Sequence, residues 1–103
     1  MMKNIYSLGG QGALCGVIGA DLMGDRLVEL VAQLPAPVAG LVRGERPTTV
    51  KSRVVAHGQQ VVRFDREERG IPSKKTLDAM IAYLEDHLHE FGAVIVSDYS
   101  KGV

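Results

Sequence analysis

Apolar positions recur along this chain at two different periods, and the changes of period mark out its elements. Behind Ser73, a good N-cap, Leu77, Met80, Ile81, Leu84, Leu88 and Phe91 repeat at helical spacing up to Gly92. An earlier stripe of Met23, Leu27, Leu30, Val31 and Leu34 predicts a helix over 22–34, capped by Asp21 and ended by Pro35 and Pro37. Residues 1–8 read as one or two helical turns stopped by Gly9-Gly10. Two mostly apolar runs, 11–18 and 93–98, read as buried strands of a parallel sheet, with Gly19 breaking the first. A weaker strand is expected at 38–42, before the polar turn 43–47.

Residues 48–66 follow the other period and read as a β-hairpin around His57-Gly58-Gln59. A three-residue loop centred on Gly58 sets Val54 opposite Val62 and Ser52 opposite Phe64. On the other face Lys51 then meets Asp65, and Arg53 meets Arg63. That register gathers Val50, Val54, Val62 and Phe64 on one side and charges on the other. A two-residue loop would scatter the apolar residues over both faces. The three-residue loop is therefore preferred, with an anion or carboxylate needed between Arg53 and Arg63.

Composition narrows the class. A chain of 103 residues holds one domain at most, and 46% hydrophobic with 23% charged residues is ordinary for a soluble globular protein. Twelve basic residues balance twelve acidic ones, which argues against nucleic acid as a partner. No apolar run is long enough to span a membrane, and no signal-peptide core opens the chain. The single Cys15 excludes an internal disulfide and fits a reducing cytoplasm. Set among apolar neighbours, it reads as a buried small hydrophobe rather than a reactive thiol.

Candidate chemistry is sparse. Gly9-Gly10-Gln11-Gly12 precedes a strand instead of linking strand to helix, and no Gly-Lys-Ser/Thr follows, so helix termination explains it better than a phosphate loop. His87 and His89 are two apart on a helix and point to different faces, while His57 lies in the turn; no metal site is expected. Lys51, Arg53 and Arg63 share the charged hairpin face, with Gln60 near its tip, a set suited to a sugar or phosphate ligand. Asp98 and Lys101 stand at the C-terminal end of an expected buried strand, where α/β folds place ligands. The plainer alternatives are a solvated strand face and an ordinary loop start.

The ordered pattern then resembles a known family. Asn4-Ile5-Tyr6-Ser7-Leu8-Gly9-Gly10 and Gly16-Val17-Ile18-Gly19-Ala20-Asp21 with Gly24 look like the early region of carbohydrate kinases of the ribokinase and phosphofructokinase-B family. The runs 46–54, 59–65 and 97–103 resemble, more specifically, the kinase domain of heptose 7-phosphate kinases, joined in many bacteria to an ADP-heptose synthase domain.

The resemblance implies an α/β, partial ribokinase-like three-layer fold over 1–103, with two core parallel strands, helices, and 48–66 as a β-hairpin lid over the sugar site. It implies transfer of the γ-phosphate of ATP, with Mg²⁺, to D-glycero-D-manno-heptose 7-phosphate, giving the 1,7-bisphosphate for the lipopolysaccharide core. The lid cations Lys51, Arg53 and Arg63 would suit a sugar that already carries phosphate. It also implies an internal segment. The Gly-Gly-x-x-Asn sugar motif would precede Met1, and the Gly-Ala-Gly-Asp motif with the catalytic base, anion hole and nucleotide site would follow Val103. No catalytic residue, metal ligand or bound cofactor is then expected in this chain alone, and no turnover.

Two functions from different classes follow. One is a sugar-kinase segment that binds a sugar phosphate weakly through its lid, as a homo-oligomer or beside a complementary kinase segment. The alternative is a non-catalytic assembly module that oligomerises through the hairpin and open sheet edges.

Overall fold

The computed structural model describes residues 1–97 and Tyr99. A short helix α1 (Met2–Ser7) is followed by strand β1 (Gly16–Gly19), helix α2 (Leu22–Ala32) and strand β2 (Leu41–Gly44). The hairpin strands β3 (Val50–Ala56) and β4 (Gln59–Arg66) come next, then helix α3 (Lys74–His87) and a 3₁₀ turn at Leu88–Glu90. The arrangement is α/β, consistent with part of a ribokinase-like layer.

β1 and β2 are parallel, Gly16 to Gly19 facing Leu41 to Gly44, and α2 is the crossover between them. α2 lies against β1, and α3 lies against β2. Ile18, Val31 and Met80, one from each of β1, α2 and α3, are the buried apolar side chains of this small body.

Helix starts follow the sequence closely. The Asp21 side chain accepts the Gly24 amide at the head of α2, and Ser73 accepts the Thr76 amide at the head of α3. Gly9, at φ +81°, ends α1, and the Gly10 N–H donates to the Ile5 carbonyl at 2.9 Å. The expected helix over 22–34 stops at Ala32. The helix behind Ser73 stops at His87, where the chain tightens into the 3₁₀ turn.

The strands need more correction. The first begins at Gly16 rather than 11, and the weak strand expected at 38–42 lies at 41–44. β1 takes β2 as its parallel partner instead of 93–98. Among the described residues 93–97 form no strand, and Ile95 and Val96 are 70% and 82% exposed. Apolar β-branched residues make a strand only where a neighbouring ladder satisfies their backbone groups, and this run has none among the described residues. Cys15 is half-buried rather than fully buried, and burial pushes its thiol pKa up.

The hairpin has the expected register with an unexpected tip. Lys51–Asp65, Ser52–Phe64, Arg53–Arg63 and Val54–Val62 all pair as the pattern requires. The loop, however, has two residues: His57 and Gly58 both have positive φ, +51° and +76°, as hairpin turns of this length demand. A bulge between Val54 and Val55 restores the register, so that Val55 pairs with Gln60 and Ala56 with Gln59. Rather than a longer loop, one extra residue in β4 brings the apolar set to one face.

Candidate functional site

The hairpin carries most of the candidate side chains. Alternation along β3 puts Lys51, Arg53 and Val55 on one face, and cross-strand pairing adds Asp65, Arg63 and Gln60. Gln60 joins that face because of the bulge: without the extra residue its parity would match Val62 and Phe64. The bulge thus assembles the four hairpin residues singled out in the sequence. Asp65 supplies a carboxylate that offsets the repulsion from the Arg63 side: its Oδ2 accepts from Arg63 Nη2 at 2.7 Å. Neither Lys51 nor Arg53 has an ion-pair partner among the described residues, so the face retains free positive charge. Asp98 and Lys101 lie outside the described residues.

The opposite face is apolar and uncovered. Val54, Val62 and Phe64 are 45%, 39% and 60% exposed.

A polar node at the base of the hairpin escaped the sequence reading, apart from the capping role of Asp21. Asp21 Oδ1 accepts the Gly24 N–H at 2.8 Å and the Thr48 hydroxyl at 2.6 Å, while Oδ2 accepts the Thr48 N–H at 2.9 Å. Thr48 Oγ1 in turn accepts the Gly19 N–H at 2.9 Å. The end of β1, the start of α2 and the approach to β3 therefore meet through two side chains. The Thr48 hydroxyl, followed by the Gly24 and Thr48 amides, lowers the Asp21 carboxyl pKa to about 2. Arg66, at the end of β4, adds a smaller attraction. Glycine is required at Gly24, where a Cβ would collide with the Gly19 carbonyl oxygen. A threonine before a strand carries no signal of this role.

Two neighbouring residues complete the base. Glu45 accepts the Ser73 hydroxyl at 2.7 Å and the Thr76 hydroxyl at 3.2 Å, tying β2's exit to the head of α3. The Ser73 hydrogen bond holds its carboxyl below the usual range. Arg46 Nη1 donates to the Gly70 carbonyl at 2.6 Å and to the Glu68 carbonyl at 3.3 Å, gripping the chain that leaves β4.

No family model matches the chain. Individual proteins do. It is 42% identical over 104 residues to the bifunctional protein HldE of Wolinella succinogenes, an alignment spanning 100% of this chain and 22% of that protein. It is 37% identical over 101 residues to the D-beta-D-heptose 7-phosphate kinase of Bordetella bronchiseptica, spanning 98% of this chain and 32% of that protein. The chain matches the kinase domain of these heptose 7-phosphate kinases. HldE of Sulfurimonas denitrificans aligns likewise, 36% identical over 100% of this chain and 22% of its own length. The chain thus spans between a fifth and a third of these relatives.

Among the described residues no three His, Cys, Asp or Glu side chains come together to hold a metal ion. The glycine amides of the glycine-rich segment are already engaged: Gly9 donates to the Tyr6 carbonyl, Gly10 to the Ile5 carbonyl and Gly12 to Tyr6 Oη. They form no phosphate cradle, and no step through nucleotide or metal is assigned to this segment. Among the described residues no helix is long and apolar enough to cross a membrane.

Proposed function

We propose that this chain is the lid-bearing segment of an ATP-dependent sugar kinase acting on a heptose 7-phosphate in the cytoplasm. In that enzyme the β1–β2 pair and its helices belong to the three-layer body. The hairpin face of Lys51, Arg53, Gln60 and Arg63 closes over the sugar phosphate, and Asp98 and Lys101 serve as further contacts to the same ligand.

The observation that carries this reading is the coincidence of two facts. The chain aligns through nearly its full length with a D-beta-D-heptose 7-phosphate kinase. The hairpin also presents Arg53 and Lys51 without ion-pair partners among the described residues, beside an Arg63 shared with Asp65. A guanidinium grips a phosphate through two hydrogen bonds, which suits a ligand already phosphorylated at its far end. The role of the segment is binding and positioning; ATP and Mg²⁺ act in the complete kinase.

Calorimetric titration with heptose 7-phosphate tests the proposal. Weak saturable binding is expected, about tenfold weaker or worse in Arg53→Glu, since a lost charge-assisted hydrogen bond costs roughly 1.5–3 kcal/mol. Unchanged affinity in both Arg53→Glu and Arg63→Glu would remove the hairpin from the sugar-phosphate site.

A second reading is favoured by the bare apolar face of Val54, Val62 and Phe64. An uncovered apolar strand face invites a partner, so the hairpin would also serve as an assembly surface, toward a second copy or the rest of a kinase.

A further inference from the structure

We infer that Asp21 and Thr48 are positioning residues that fix the direction in which the hairpin leaves the body. The inference concerns how the cationic face is aimed, and its bearing on ligand binding rests on the function proposed above.

Packing does not set that direction. Every residue of β3 and β4 except Val50 is exposed, so neither face of the hairpin leans on α2, β1 or α3. At the base, a cleft of about 150 Å³ is lined by Val17, Ile18 and Leu27 on the body side and by Pro47 and Thr48 on the hairpin side. What crosses this base is polar. The foot of β3 is tied by the two hydrogen bonds from Thr48 to Asp21 and by the Gly19 amide on the Thr48 hydroxyl. The foot of β4 is held by Arg46 through the Gly70 and Glu68 carbonyls, and Arg66 is drawn toward Asp21.

Leverage gives the node its consequence. Arg53 is five residues beyond Thr48, about 17 Å at the rise of a strand. A tilt of about 10° at the foot then moves Arg53 by about 3 Å, more than a hydrogen bond tolerates. One carboxylate makes two kinds of contact: it caps α2 by accepting the Gly24 amide, and it holds Thr48 at the start of the hairpin. The substitution Asp21→Asn separates them. It keeps one side-chain oxygen, which would still cap α2. The new side-chain amide would then face the Thr48 N–H, donor against donor; the Thr48 hydroxyl keeps its bond to the remaining oxygen, so the hairpin tie loses its backbone hydrogen bond and loosens while the helix cap stays.

The test reads the angle without any ligand. Spin labels are placed at Gln59→Cys, beside the turn, and Glu29→Cys, on α2, in a Cys15→Ala background of the full 103-residue chain. Pulsed electron–electron double resonance is expected to give one narrow distance distribution in that background and in Thr48→Ser, which keeps the hydroxyl. Asp21→Asn and Thr48→Val should each broaden it at least twofold, with the helical circular dichroism unchanged. A native width in Asp21→Asn overturns the inference, and that variant decides alone if Thr48→Val does not fold. Failure of the sugar-phosphate reading is distinguishable: it shows as unchanged ligand affinity in Arg53→Glu, with the distance distribution unaffected.

Discussion

Asp21 is the residue at which local and long-range structure coincide. Its place before an apolar stripe identified the cap of α2 from sequence. Nothing local indicated that its second oxygen would take the backbone of Thr48, 27 residues later. The acid response follows from those bonds. The folded carboxyl, at about 2, lies below its ordinary 3.8, so its charged form favours the fold. That contribution is complete above about pH 4 and disappears as pH falls toward 2; Glu45, also lowered, acts in the same direction. Thermal melts between pH 5 and pH 2 should show a steeper loss of stability in the native chain than in Asp21→Asn. Equal slopes would mean that the carboxylate is not tied to the fold. Thr48 is buried with both polar groups paired, so Thr48→Val is expected to destabilise by about 1–3 kcal/mol in denaturant titrations.

At the scale of elements, the hairpin shows how far a period-two pattern reaches. The pairs of its body were legible because only one register gathers the apolar residues on one face. The tip was not, because loop length and bulge position compensate: a three-residue loop and a two-residue loop with one bulge give the same pairs below it. Positive φ at His57 and Gly58 is the detail that separates the two. Deleting Val61 should therefore leave Val54–Val62 and Arg53–Arg63 paired, with the bulge gone and the strands less twisted. Cross-strand nuclear Overhauser contacts report this directly, and a one-residue slip of β4 would refute it. His57→Asn, a better residue for a left-handed turn position, should protect hairpin amides from exchange by up to about 1 kcal/mol more. The run 93–97 makes the complementary point. Its composition is that of a strand, yet a strand is a property of two segments, and among the described residues this run pairs with none.

The whole molecule is more extended than its size requires. Its radius of gyration is 15.2 Å, against about 13 Å for a compact domain of this length. The exposed hairpin and the exposed run 91–97 both contribute to the excess, and the hairpin leaves Val54, Val62 and Phe64 in solvent. Self-association at rising concentration is the expected relief, and light scattering should find it reduced in Phe64→Asp but retained in Arg63→Glu, whose charge lies on the other face. A mass equal to one chain at every concentration would leave the apolar face without this role. Sequence by itself determined the helices, their caps, the hairpin pairs and the kinase resemblance, because each depends on neighbours a few residues away or on period alone. Tertiary structure decided which strands pair in parallel, that Gln60 joins the cationic face, and that Asp21 reaches Thr48 across 27 residues. Those outcomes depend on which unsatisfied backbone and side-chain groups come together once the chain closes on itself, and no single stretch of sequence encodes that choice.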